Sequence, residues 1–371
     1  MRTITTGNYK MQYPNAVHFA FVPAIVEFTQ VIANIAGIRL ELTAGEPGAM
    51  YRDERSVGPD RSCVFDIRRA LQMLFVGTRC SETTYDQDFV DSPLYKTISV
   101  AVYAISESNE TSYSQTVRIT AIWGGISVGE SSGGVMHRRW FVDYPFTLDV
   151  FARKGTSFDI MIDGKQPGIM FYNHREDYDG ATPYHRYLMN PAKILDPESV
   201  EREVHIVIPH SLVLQNDRER VGLMAYTLTI DRCTMGVYLR WIDHQGRYCY
   251  YLFRDQGTAA AVSVEERWVH NEMSVPTAYE NGVNVGIQER RQMACKSTRS
   301  LGARLVDSET FDFLLTLAQS VVVDEFDGYD QEGVPLWHRV NVVAASYTKT
   351  TKHLQDFSFS IEEPTAEIQT L

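Results

Sequence analysis

The stretch Val237-Tyr-Leu-Arg-Trp-Ile-Asp-His-Gln-Gly-Arg-Tyr-Cys-Tyr-Tyr-Leu-Phe253 constrains the fold more than any other part of the chain. Two β-prone runs flank a loop of His244, Gln245 and Gly246, which puts glycine at the left-handed position of a three-residue hairpin. Opposed residue numbers then sum to 490. One face carries Val237, Leu239, Trp241, Cys249, Tyr251 and Phe253, and the other Tyr238, Arg240, Ile242, Tyr248, Tyr250 and Leu252. Both faces are largely apolar, so the hairpin must be covered on both sides, inside a domain or at a subunit interface. The same register sets Cys233 opposite residue 257 and so argues against a Cys233–Cys249 disulfide.

Shorter alternating runs fill much of the remainder. Ile98–Tyr103, Val117–Ala121, Phe146–Val150 and Phe158–Ile162 read as strands with one buried face. Ser108-Asn109, Gly124-Gly125, Lys154-Gly155 and Asp163-Gly164 supply turns between them. Strands at this spacing predict antiparallel sandwiches rather than βαβ units. Two short helices are expected. Asp66 caps a stripe of Ile67, Ala70, Leu71 and Leu74, and Asp307 or Ser308 caps one of Phe311, Leu314, Leu315 and Ala318 over 308–320.

A length of 371 residues exceeds what one core usually serves. The expected class is mainly β, with two β-sandwich-like or β-rich domains and a few short helices. The N-terminal sandwich spans 1–166. An irregular segment rich in Asn, Asp, His, Tyr, Gly and Pro spans 167–199, and a C-terminal β-rich domain 200–371.

The formal charge of −12 opposes a role in binding nucleic acid, because phosphate contacts need clustered Lys and Arg, and Arg138-Arg139 and Arg290-Arg291 are small spots. Five cysteines, at 63, 80, 233, 249 and 295, form no C-x-x-C and leave one odd, which fits a reducing compartment. Singly placed ones such as Cys63 and Cys295 read as small buried hydrophobes. The first residues lack an apolar signal core, and Ala16–Val26 is too short to span a bilayer. The expectation is synthesis in the cytoplasm without a membrane span.

Candidate chemistry is sparse. Gly129-Glu-Ser-Ser-Gly133 fits the G-x-S-x-G elbow that would make Ser131 a hydrolase nucleophile, but Gly133-Gly134 starts a helix poorly and no βα series surrounds it. The neighbouring glycines lack the Lys-Ser/Thr of a phosphate loop. Asp324–Glu332 gathers five carboxylates that could attract Ca²⁺, without the D-x-D-x-D-G order; an acidic solvent loop turning at Asp327-Gly328 is the simpler reading. His174–Gly180 with His185 lacks a second zinc-site spacing. Trp123, Trp140, Trp268 and Tyr172, Tyr178, Tyr184 and Tyr187 would stack on sugar rings if exposed, though core packing is the commoner fate. No catalytic residue, cofactor or metal ligand is assigned.

Two blocks carry a resemblance. Tyr238–Phe253 is one. The other runs from Leu305-Val-Asp-Ser-Glu-Thr-Phe-Asp-Phe-Leu-Leu through Trp337-His-Arg-Val-Asn-Val-Val to Ser346-Tyr-Thr-Lys-Thr-Thr-Lys-His-Leu-Gln-Asp-Phe-Ser-Phe-Ser-Ile-Glu-Glu-Pro364. Together they resemble uncharacterised tail or baseplate proteins of phages and prophages from gut Bacteroidales. Val17–Pro23 followed by Phe65–Gln72 is similar to the same group, less specifically. The resemblance covers about half the chain and brings no catalytic motif. It implies a non-enzymatic virion subunit that assembles into a homo-oligomer and contacts other tail proteins. A carbohydrate- or host-surface-binding module is the alternative, and a Ser131 hydrolase a remote one.

Overall fold

Alternation of apolar and polar side chains buries one face of a strand, and that period recurs through the computed structural model of this chain. It describes residues 1–14, 17–44, 51–76, 82–85, 89–108, 110–125, 134–151, 157–163, 170–172, 184–195, 202–211, 221–271, 286–363 and 366–370. The chain is mainly β, with three short helices among the described residues.

The first unit stacks two sheets. One is ordered β1-β2-β4-β7, from Arg2–Thr5, Lys10–Tyr13, Ile25–Thr29 and Cys63–Asp66. The other is β3-β10-β9-β5-β6, from Val17–Phe19, Thr111–Ile122, Tyr95–Ser106, Ile35–Thr43 and Tyr51–Ser56. Met11, Phe28 and Phe65 from the first sheet share a core with Leu40, Val102 and Ile119 from the second, as in a face-to-face sandwich. Helix α1 (Arg68–Met73) closes one end through Ile67, Ala70, Leu71 and Leu74, all buried as the stripe predicts. Asp66 Oδ1 accepts from the Arg68 amide at 3.0 Å, while Ile67 occupies the cap position itself.

The second core draws on three sheets. Their first two are β11-β17-β16-β13-β14 and β12-β15-β8. Those strands are β8 Phe89–Asp91, β11 Gly134–Phe141, β12 Thr147–Phe151, β13 Ser157–Ile162, β14 Met170–Tyr172, β15 Tyr184–Leu188, β16 Glu203–Ser211 and β17 Val221–Asp231. The third runs β22-β21-β18-β19-β20-β24-β23, with β25 also on β20. It comprises β18 Val237–Ile242, β19 Tyr248–Asn271, β20 Gly286–Val306, β21 Val323–Tyr329, β22 Pro335–Arg339, β23 Asn341–Val342, β24 Gln355–Glu362 and β25 Ala366–Thr370.

The two apolar clusters interleave in sequence, since the second takes Phe19, Leu94 and Ile122 from the strands and loops of the first unit. Strands β11, β12 and β13, expected in the N-terminal unit, contribute Trp140, Leu148 and Ile160 to the later core. Likewise the 167–199 segment is not wholly irregular: β15 is the middle strand of its sheet, and a short helix, α2, spans Pro191–Ile194. Its buried Tyr187 and Leu188 sit among too few periodic positions for alternation to reveal a strand. Among the described residues the strand pairing is mostly antiparallel, with two parallel exceptions, β3 on β10 and β11 on β17.

The hairpin forms in the expected register, Val237 opposite Phe253 through Ile242 opposite Tyr248. Asp243 N donates to Arg247 O at 2.9 Å, and Gly246 has φ +76°, so the loop is His244–Gly246 as read from the sequence. All twelve strand residues from 237–242 and 248–253 are buried, and this same chain covers both faces. Helix α3 (Ser308–Gln319) covers part of one of them, burying Phe311, Phe313, Leu314 and Leu317, while Leu315 and Ala318 of the expected stripe are half-buried. Asp307 Oδ1 accepts from the Thr310 amide at 2.7 Å. Asp307→Ala should lower unfolding free energy by about 1 kcal/mol in urea denaturation, the usual value of an N-cap; an unchanged midpoint would contradict that role.

Candidate functional site

A charged residue in the middle of an apolar strand needs a buried partner. Arg240, central on β18, has two. Its Nη1 meets Glu82 Oε1 at 2.5 Å, and its Nε donates to Asp324 Oδ2 at 3.0 Å. Asp324 Oδ1 also takes Arg339 Nε at 2.6 Å. The Arg240 guanidinium lies over the Trp337 ring, 4.2 Å from its centroid, so an aromatic face covers the ion pair. Burial raises the Glu82 carboxyl, with Arg240 opposing that shift.

A second cluster lies on the same face. Asp149 of β12 and Arg186 of β15 are both almost fully buried, with Arg186 Nε 3.9 Å from Asp149 Oδ1. The Tyr248 amide donates to Asp149 Oδ2, whereas Oδ1 has no hydrogen-bond partner among the described residues. Thr147 Oγ1 and Tyr250 OH are 2.6 Å apart, and the Arg186 guanidinium stands 4.5 Å from the Tyr248 ring centroid. A small cleft opens beside Asp149, lined also by Met136, Arg138, Tyr226, Cys249 and Phe313.

Burial pushes the Asp149 carboxyl far above its ordinary value of 3.8, while the Tyr248 amide and the guanidinium groups of Arg247 and Arg240 pull the other way. A raised folded-state pKa means the folded protein binds the extra proton. Its stabilising contribution is therefore complete below the unfolded value and declines as pH rises through the folded one. Asp149→Asn removes that titration. The fall in unfolding free energy from acid to neutral pH should be shallower in the variant, as read by urea denaturation at a series of pH values; identical slopes would show that Asp149 stays ionised.

Burial raises the Cys249 thiol well above its usual range, so it is a poor nucleophile. Cys63 is similarly buried, its thiol pushed up to about 11. The described histidines, cysteines and carboxylates include no group of three placed to hold a metal ion.

The other sequence candidates resolve unevenly. The Gly129–Gly133 loop with Ser131 lies outside the described residues, as do His174–Gly180, Tyr178 and Cys80. His185, Tyr172, Tyr184, Trp268 and Cys295 are placed in strands only by their backbone. Trp140 and Tyr187 are buried, and Trp123 packs edge-on against Phe21 and Phe75, so none of these three offers an open sugar platform.

The 324–332 run is not a solvent loop. Most of it is strand β21, and four of its five carboxylates have partners, Asp324 among them. Glu325 meets Arg299 at 3.2 Å, Asp327 meets His338 at 2.7 Å, and Asp330 Oδ1 accepts from the Glu332 and Val334 amides. Asp327-Gly328 forms a β-bulge with Gly328 at φ +117°, and the turn falls later, at Asp330–Gly333. Sequence reading missed Glu82, Asp149 and Arg186. The usable signal was Arg240 itself, whose position between buried strands demanded an acid from elsewhere.

No family model matches this chain, and no curated protein matches it. Among the described residues no helix is long and apolar enough to cross a membrane.

Proposed function

We propose that the chain is a non-enzymatic structural subunit of a phage virion, from the tail or baseplate, which works by assembling with copies of itself and with other tail proteins. The observation that carries this reading is the length of β19 and β20. They pair antiparallel from Arg254 opposite Gly302 to Asn271 opposite Gly286. At about 3.3 Å per residue, β19 alone reaches roughly 80 Å, against about 20 Å for an ordinary strand. Phe253 lies in the core, and the side chains of 254–261 that follow it are exposed.

A strand of this length with an exposed stretch at 254–261 fits a part that acts by reaching a neighbour. The resembling blocks add support, since Tyr238–Phe253 and the β21–β24 region belong to the same sheet. The buried Arg240 cluster fits too: its guanidinium joins acids from two other parts of the chain, Glu82 and Asp324, and so ties strands together inside the fold.

Light scattering on the full chain after size exclusion tests the assembly. We expect a defined oligomer at milligram-per-millilitre concentration, and a strict monomer would overturn the reading. Mass spectrometry of purified particles from a host carrying the gene tests the virion location.

A further inference from the structure

Strand β18 covers one edge of β19 only as far as Phe253. Beyond that residue, no described strand lies against the same edge. On its other edge, the ladder with β20 is bulged at Gln256 and again around Glu265. Between those bulges lies an unbroken run, Gly257-Thr-Ala-Ala-Ala-Val-Ser-Val264, without charge or proline. The side chains of 257–261 are exposed.

Open edges of soluble proteins are normally guarded by charges, proline, bulges or a covering element. An uncharged, proline-free run of this kind is instead prone to take up another strand. At about 3.3 Å per residue the run offers roughly 26 Å of ladder.

We propose that Gly257–Val264 is an assembly edge, filled by the same segment of a second copy of this chain, antiparallel about a two-fold axis at Ala261. The proposal rests on the assembly reading above and gives it a contact. A two-fold axis perpendicular to a sheet keeps opposed residues on one face, so their numbers must sum to an even value. A sum of 522 sets Thr258 opposite Val264, Ala259 opposite Ser263 and Ala260 opposite Val262, with Ala261 opposite its own copy. It also sets Asp255 opposite Arg267, an acid against a base. A sum of 520 would instead oppose Asp255 to Glu265, and a sum of 524 would set Asp255 against Val269 and lose the pairing with Arg267. Charge therefore selects the register centred on Ala261. The methyl side chains at 259–261 leave room for close approach at the axis.

Cysteine cross-linking of the full chain, in a Cys233→Ser background, tests both edge and register. Opposed antiparallel residues lie about 4.5–5.5 Å apart at Cα, within disulfide reach. Ala261→Cys should give a covalent dimer on mild oxidation, and Thr258→Cys alone should not, whereas Thr258→Cys with Val264→Cys should. Replacing Ala259 and Ala261 together by lysine should lower the mass seen by light scattering, with the circular dichroism spectrum unchanged. An oligomer that resists the lysines and gives no Ala261→Cys dimer overturns this edge and leaves the assembly reading standing. A monomer overturns both. Cross-linked dimers from a chain absent from purified particles would strike the virion location alone.

Discussion

Arg240→Ala should destabilise the protein by about 3–5 kcal/mol, the usual consequence of leaving buried charges without their partner. Arg240 is the sole bridge between Glu82 and Asp324 among the contacts described, and its side chain is 6% exposed. Removing it strands Glu82 and leaves Asp324 with Arg339, while the Trp337 ring loses the guanidinium stacked on it. Arg240→Lys should recover only part of the loss, because an ammonium group cannot reproduce two directed guanidinium contacts and a stacked face at once. Urea denaturation followed by tryptophan fluorescence would measure both variants. A loss below about 1 kcal/mol for the alanine variant would mean that solvent reaches the site and screens it.

Gly246→Ala attacks the seam between the two cores. Gly246 has φ +76°, where a non-glycine residue costs about 1–2 kcal/mol. A methyl group there would also penetrate the Trp123 carbonyl oxygen. On the facing side Gly124, at φ +117°, would bring a methyl within 2.5 Å of the His244 carbonyl oxygen. The Gly125 amide donates to that oxygen at 2.6 Å. The hairpin tip thus docks backbone to backbone on the end of β10, and either substitution must push the units apart. With overpacking costs of about 1–3 kcal/mol added, we expect Gly246→Ala to lose about 2–5 kcal/mol. Gly124→Ala should act on the same contact, so the double variant should lose less than the sum of the singles. Additive losses would show two independent contacts instead of one seam.

The hairpin was legible from sequence because every determinant of its register is local: a glycine for the left-handed turn and matched β-prone runs on either side. The four alternating strands and the stripe of α1 were legible for the same reason, since a side-chain period depends only on neighbours along the chain. Helix α3 shows the limit. Its N-cap was readable, but the choice of Phe313 and Leu317 over Leu315 and Ala318 depended on which face met the sheet. The acidic run 324–332 was misread as a solvent loop because its cationic partners, Arg240, Arg299 and Arg339, come from other strands and from no recognisable spacing.

Sequence by itself determined the β-rich class, the turn and register at 237–253, and the need to cover that hairpin on both faces. These follow from local backbone preferences and from the cost of leaving apolar surface in water. Only tertiary structure placed the cover within this chain, moved strands 134–162 to the later core, and chose Glu82 and Asp324 for Arg240. Those outcomes depend on contacts between residues far apart in sequence, such as Arg240 and Glu82, 158 positions apart. No local pattern encodes such contacts, because they are selected by the mutual fit of whole sheets.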